Sequence, residues 1–248
     1  ISRADRVILA GDHCQLPPTI KCIEAARGGL GRTLLEKVVL HKPETVSLLK
    51  IQYRMHEDIM RFPSRWFYHD ELEAAPEVKY RGILDFDTPA SWIDTSELDL
   101  QEKAVAEGTG RLNTGEAELL VRELKNYMER IGIRRILEEH IDFGVISPYR
   151  AQVHYLRHLL KKEPFFRPCR RLITVHTVDG FQGQERDVIM ISLVRANEKG
   201  QIGFLRDLRR MNVAITRARM KLLILGEAVT LTRHPFYREL YEYIGGLR

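Results

Sequence analysis

Five short runs of the chain are apolar without alternation and stop abruptly in polar loops, and this pattern restricts the fold more than any other feature. Val7-Ile8-Leu9-Ala10 runs into Gly11-Asp12, Phe143-Gly144-Val145-Ile146 into Ser147-Pro148, and Leu172-Ile173-Thr174-Val175 into His176; Val188–Ile191 and Leu222–Leu225 follow. A strand wetted on one face alternates apolar with polar residues, whereas continuous apolarity marks strands covered on both faces, as in a parallel sheet between helices. Helical spacing fills the intervals. Leu119, Leu120, Leu124 and Met128 share one side of a helix over 115–131, and Val153, Leu156, Leu159 and Leu160 share one over 151–162. The expected class is α/β, a mostly parallel sheet with helices on both faces, and in such sheets functional loops gather at the carboxyl ends of the strands.

Composition narrows the classes further. With 248 residues and 44% hydrophobic content the chain buries a substantial core and is no disordered tail. Its 39 Lys and Arg against 34 Asp and Glu give a net charge of +5, which suits a polyanionic partner without requiring one. The longest apolar run, Val188–Val194 with Ser192 inside it, falls far short of the roughly 20 residues that cross a bilayer, so no membrane partner is expected. Cys14, Cys22 and Cys169 form neither a zinc-type pair nor a disulfide framework, which predicts an intracellular setting, cytoplasmic or, in a eukaryote, nuclear. The acidic stretch from Asp94 to Gly110 reads as a solvated loop. The chain starts at Ile1 in an ordered-looking segment, which reads as a cut within something longer.

Four polar clusters carry the chemistry. The loop GDHCQLPPT, 11–19, presents Asp12 and Gln15 at a strand tip; a glutamine there suits orienting a water or sensing a phosphate, against the plain alternative of a turn. In QYRMH, 52–56, read as opening a helix through Arg61, Arg54 offers a fork of donors to phosphate oxygens and Tyr53 a stacking face; the alternative is a capped, solvated helix. The segment 174–187, TVHTVDGFQGQERD, combines the hydroxyls of Thr174 and Thr177, the flexible Gly180 and Gly183, and Glu185 as an acceptor for a ribose hydroxyl. The stretch 209–219 reads as a helix on which Arg210, Ala214 and Arg217 share a face, with Arg219 on roughly the opposite side.

In this order the clusters resemble motifs III to VI of superfamily 1 helicases, in the branch of the nonsense-mediated-decay helicase and senataxin: GDHCQLPPT, QYRMH, TVDGFQGQERD and NVAITRAR. The resemblance implies two RecA-like lobes of the P-loop NTPase fold, with ATP and Mg2+ in the cleft between them and single-stranded DNA or RNA crossing both. Residues 1–40 would be the remnant of the first lobe and 41–248 the second. Gln15 would couple the γ-phosphate to closure, and Arg54 and Arg217 would reach that phosphate, Arg217 as the arginine finger. Tyr53, Gly183, Glu185 and Arg210 would line the nucleotide, with Tyr53 near the nucleoside and Glu185 on the ribose. Ser147, Pro148, Tyr149, Thr174 and Thr177 would approach the nucleic-acid backbone.

A complete motor also needs the phosphate-cradling GxxxxGK[ST] and an acidic magnesium motif, and neither occurs here. The nearest approach, Ala26 to Thr33, has Ala for the first Gly and Arg32 for the Lys, and reads as a Gly-rich turn before a helix over 33–39. The 248 residues alone are therefore expected to bind ATP weakly without hydrolysing it, the missing first lobe being their partner. No metal site is expected: His13, Cys14 and Cys22 have irregular spacing, and His56 and His69 lack a partner at ligand spacing. The competing reading is a non-catalytic module that binds single-stranded nucleic acid or a protein.

Overall fold

A computed structural model describes residues 5–17, 20, 22–105 and 110–247. Ile1, Pro18, Thr19 and positions 106–109 of the acidic stretch, used in the sequence reading, lie outside the described residues. The chain divides into two compact units, Ile1–Leu49 and Lys50–Arg248.

In the first unit, helix α1 (Leu34–His41) starts at a capping box: the Thr33 hydroxyl accepts from the Glu36 N–H, and the Glu36 carboxylate accepts from the Thr33 N–H. The preceding Ala26–Leu30 is a wide helical turn in which Gly29 takes a φ of 95°, with no strand leading into it among the described residues. Val7–Ala10 corrects the sequence reading. It joins no strand, and Val7, Ile8 and Leu9 are 44%, 87% and 40% exposed. Strand residues need a lateral neighbour to take their N–H and C=O groups, and no described residue of this unit supplies one.

The second unit is built on five strands: β1 (Ala90–Asp94), β2 (Phe143–Ser147), β3 (Ile173–Thr177), β4 (Arg186–Ser192) and β5 (Ala218–Gly226). Their order is β1-β5-β4-β2-β3, and every pair is parallel. Between and around them run α2 (Glu57–Phe67), α3 (Thr114–Ile131), α4 (Arg150–Lys162), α5 (Val178–Phe181), α6 (Leu208–Ile215) and α7 (Pro235–Gly245). The central β2 is buried throughout and β4 over its last five residues, whereas the outer β1 and β3 are mixed. On one face Phe143, Val145, Val188 and Met190 join Leu120, Leu124 and Met128 of α3 and Val153 and Leu156 of α4 in a single core. On the other, Gly144 leaves room for α5. A Cβ on Gly144 would stand 2.6 Å from the Phe181 ring and 2.5 Å from Ile189.

Three further expectations change. The helix after QYRMH begins only at Glu57, with the His56 ring capping the Asp58 N–H. The helix of the last cluster ends at Ile215, because the Thr216 hydroxyl turns back to Asn212 O at 2.7 Å and Ala218 enters the sheet beside Arg186. The acidic segment is not simply solvated: Asp94 accepts from the Ala228 N–H, and Glu102 pairs with the buried Arg195 at 2.8 Å.

A fully buried polar network links α3, α4 and the carboxyl end of β4. Gln152 bonds both backbone groups of Asn113 and donates to the Ser192 hydroxyl, which donates to Glu116 at 2.6 Å. Glu116 also takes the N–H of Val194, a buried β-branched residue held at a φ of 70°. Burial drives the Glu116 pKa up to about 7, despite the opposing bonds from Ser192 and Val194. The folded acid thus keeps its proton up to about 7, while the unfolded one ionises from 4.5, so this group's stabilisation is lost as pH rises through that window. Urea unfolding should show Glu116→Gln lacking a pH-dependent loss on the order of 3 kcal/mol across the window. Parallel pH profiles of the two proteins would contradict this.

Candidate functional site

Gln52 organises the first part of the site. Its side chain accepts from the N–H groups of Arg54 and Met55 and donates to Met55 O, closing a tight turn that projects Tyr53 and Arg54. The next residue ties this turn to the sheet, because the His56 N–H donates to Arg219 O at 2.8 Å. Arg81 adds a second brace, donating from Nη2 to Arg54 O.

Arg54 reaches two other segments. Its Nε donates to Glu185 Oε2, and its Nη1 to Thr216 O at 3.1 Å. Glu185 stands immediately before β4, beyond a turn in which Gly183 takes a φ of 82° that favours glycine. Its other oxygen, Oε1, takes Arg219 Nε at 3.0 Å and Nη2 at 2.9 Å, while Arg219 Nη1 binds Asp187 at 3.1 Å. Arg217 is 3% exposed and lies across the same junction, donating to Val213 O and, at 3.2 Å, to Gln184 O. Three clusters far apart in sequence therefore meet.

Charge follows from this geometry. Burial alone would raise the Glu185 pKa, but the hydrogen bonds and charges of Arg54 and Arg219 outweigh it and hold the carboxyl below its ordinary value. Burial would lower that of Arg219, yet Asp187 and Glu185 raise it instead. Arg81 is shifted down by burial and by the facing Arg219. The cluster is nevertheless reachable, since the side chains of Arg54 and Glu185 are 34% and 36% exposed.

The parallel sheet separates the remaining residues. Glu185 and Arg217 precede β4 and β5, so this cluster lies at the amino ends of the strands, not at the carboxyl ends where the fold class directs attention. Ser147, Pro148, Tyr149 and Thr177 lie at the carboxyl ends, about 20 Å away along a seven-residue strand. There Ser147 and Tyr149 have buried side chains, Tyr149 packs on Phe204, and Thr177 caps α5 by accepting from Gly180 N. Thr174 belongs to the amino end, its hydroxyl accepting from Arg186. Arg210 does not share a face with Arg217, which lies beyond the helix; it is held by Asp207 and Asp179. Tyr53 is 67% exposed beside Arg54. In the first unit, Gln15 donates to Asp12 at 2.7 Å. Asp12, His13 and Cys14 bring ligand atoms within 4.8 Å of one another, but burial, then Asp12, pushes the Cys14 thiol up to about 11, against the thiolate a metal needs. Sequence reasoning missed Arg81 altogether and turned Arg219 away; its one available signal was their abundance of donors.

A family model described as an AAA domain matches residues 30–229. The chain belongs to this family. Among relatives of this AAA-domain chain, an uncharacterized ATP-dependent helicase of Methanocaldococcus jannaschii is 36% identical over 98% of the chain and 35% of its own length. The regulator of nonsense transcripts 1 homolog of Drosophila melanogaster is 35% identical over 97% of the chain and 20% of its own length. Helicase sen1 of Schizosaccharomyces pombe is 37% identical over 96% of the chain and 14% of its own length. The resemblance to the superfamily 1 helicase branch is thus one of membership, and the chain spans about a third or less of these relatives. Among the described residues no helix is long and apolar enough to cross a membrane.

The depressed Glu185 pKa has a sign. Its stabilisation is present above the ordinary glutamate value of 4.5 and is lost as pH falls through the folded value. Glu185→Gln should lower the melting temperature at neutral pH, with the difference vanishing in acid. A difference that persists unchanged in acid would show that the ion pairs contribute nothing.

Proposed function

We propose that this chain supplies the arginine-bearing second lobe of an ATP-dependent helicase. The observation that carries the reading is the convergence of Arg54, Glu185, Arg217 and Arg219, from segments 131 and 162 residues apart, at one end of the sheet. A cluster rich in guanidinium donors, part exposed and part anchored, fits the charge of a nucleoside triphosphate. ATP bound with Mg2+ would bring the γ-phosphate whose transfer is the reaction. Arg54 and Arg217 bind and orient that phosphate, Arg217 as the finger, Glu185 holds the ribose, and Tyr53 packs near the nucleoside, with Gly183 lining the nucleotide; Arg210, over the Phe204 ring that packs on Tyr149, stands toward the other end of the sheet and takes no part. Arg217 leaves its carbonyl contacts when the lobe closes, so hydrolysis depends on closure.

Residues 1–40 contribute the edge of a first lobe, where Gln15 senses the γ-phosphate, and 41–248 form the second. The exposed apolar side chains of Val7, Ile8 and Leu9 support this division, being a surface suited to burial against another element. The P-loop and Mg2+ ligands belong to the first lobe. The opposite end of the second-lobe sheet, at Ser147, Pro148, Tyr149 and Thr177, contributes to a single-strand track for DNA or RNA; with two of those side chains buried, backbone groups carry the contact.

Two outcomes are expected. The 248 residues alone give no steady ATP turnover, and joined to a P-loop lobe they do, with Arg217→Ala reducing kcat by about 10³-fold. Turnover by the 248 residues that Arg217→Ala abolishes would overturn the division of labour. Second, affinity of the chain for single-stranded nucleic acid falls steeply between about 50 and 200 mM salt. A salt-insensitive interaction would favour the reading as a protein-binding module.

A further inference from the structure

Glu185 is shared unequally by its two arginines. Arg54 holds Oε2, and its Nη1 donates to the Thr216 carbonyl at 3.1 Å. Arg219 holds Oε1 through two nitrogens and is itself fixed by Asp187, whose side chain is only 14% exposed. Asp142 stands 4.0 Å from the same guanidinium, and its Oδ1 accepts from the Asp187 N–H at 2.7 Å. Arg219 is thus anchored from behind by Asp187, with Asp142 nearby, through contacts that do not involve Arg54.

We propose that Arg219 is a positioning residue for nucleotide recognition: it clamps Glu185 Oε1 so that Oε2, vacated when Arg54 turns to the γ-phosphate, is aimed at a ribose hydroxyl. This inference rests on the ribose role of Glu185 given above. A carboxylate with both oxygens held by guanidinium groups has few acceptor sites left for a hydroxyl, and one released entirely has no fixed direction. Releasing one oxygen while fixing the other satisfies both requirements. Arg81 completes the arrangement by bracing the Arg54 backbone, so that the side chain of Arg54 swings while its turn stays. The consequence is that discrimination between ribose and deoxyribose nucleotides depends on Arg219, a residue that itself touches no nucleotide.

The test uses the protein joined to its P-loop lobe, with ATP, 2′-deoxy-ATP and 3′-deoxy-ATP as the three substrates and KM as the readout. The unmodified protein should prefer ATP over at least one deoxy analogue by about tenfold, and Glu185→Gln should lose that preference. Arg219→Ala should lose it as well, and Arg219→Lys, which keeps the charge but not the fork, should retain only part of it. A merely structural role would raise KM for all three substrates together. If Arg219→Ala does not fold, Arg219→Lys decides: undiminished preference overturns the proposal. If the unmodified protein hydrolyses ATP but shows no preference against either analogue, the ribose role of Glu185 fails. Failure of the helicase reading is separate, since no substrate would then be turned over at all.

Discussion

One carboxylate holds this site together. Glu185 accepts from Arg54 and Arg219, which come from segments more than 160 residues apart, and the backbone of Gln184 beside it accepts from Arg217. Without that negative charge, three or more guanidinium groups would repel one another at the amino ends of β4 and β5. With it Arg54 and Arg219 are held in register near the surface, where solvent screens each pair and keeps it weak enough to exchange, while the buried Arg217 is held by backbone carbonyls. An ion pair buried deep in the core would be too costly to open. The arrangement fits the proposed role, in which Arg54 leaves one anion for another.

The direction of the strands sets the rest. Because all five run parallel, the sheet has two chemically different ends, one with the arginine cluster and the other with the buried Asn113–Glu116–Gln152–Ser192 network beneath Ser147 and Tyr149. The buried core formed by α3, α4 and the strands lies between them. If nucleotide and nucleic acid bind at these two ends as proposed, β4 is the element that spans them: Glu185 stands before its first residue and Ser192 is its last.

Sequence patterns revealed much of this and missed the rest for identifiable reasons. β2 and β4 were legible because both faces are buried, so their apolar runs are unbroken; β1, Ala-Ser-Trp-Ile-Asp at the sheet edge, carries no such run and was missed. Val7–Ala10 has the same apolar character, but composition reports a need for burial and cannot report whether a neighbouring strand is present. Helical spacing of Arg210, Ala214 and Arg217 overran the true helix end because Thr216 and the entry of Ala218 into the sheet are decided by tertiary contacts. The motifs singled out Arg54, Glu185 and Arg217 as candidates. That they meet at the amino ends, and that Arg219 faces Glu185, depends on a register only folding supplies.

On the proposed reading, Arg54 and Arg217 act on the γ-phosphate in the transition state and not merely on bound nucleotide. Equilibrium binding of ADP, with and without aluminium fluoride as a mimic of the transferring phosphoryl group, tests this most directly on the protein joined to its P-loop lobe. The unmodified protein should bind the ADP–fluoride complex far more tightly than ADP, and Arg54→Ala and Arg217→Ala should each abolish most of that gain while ADP affinity changes little. An undiminished gain in both variants would contradict it.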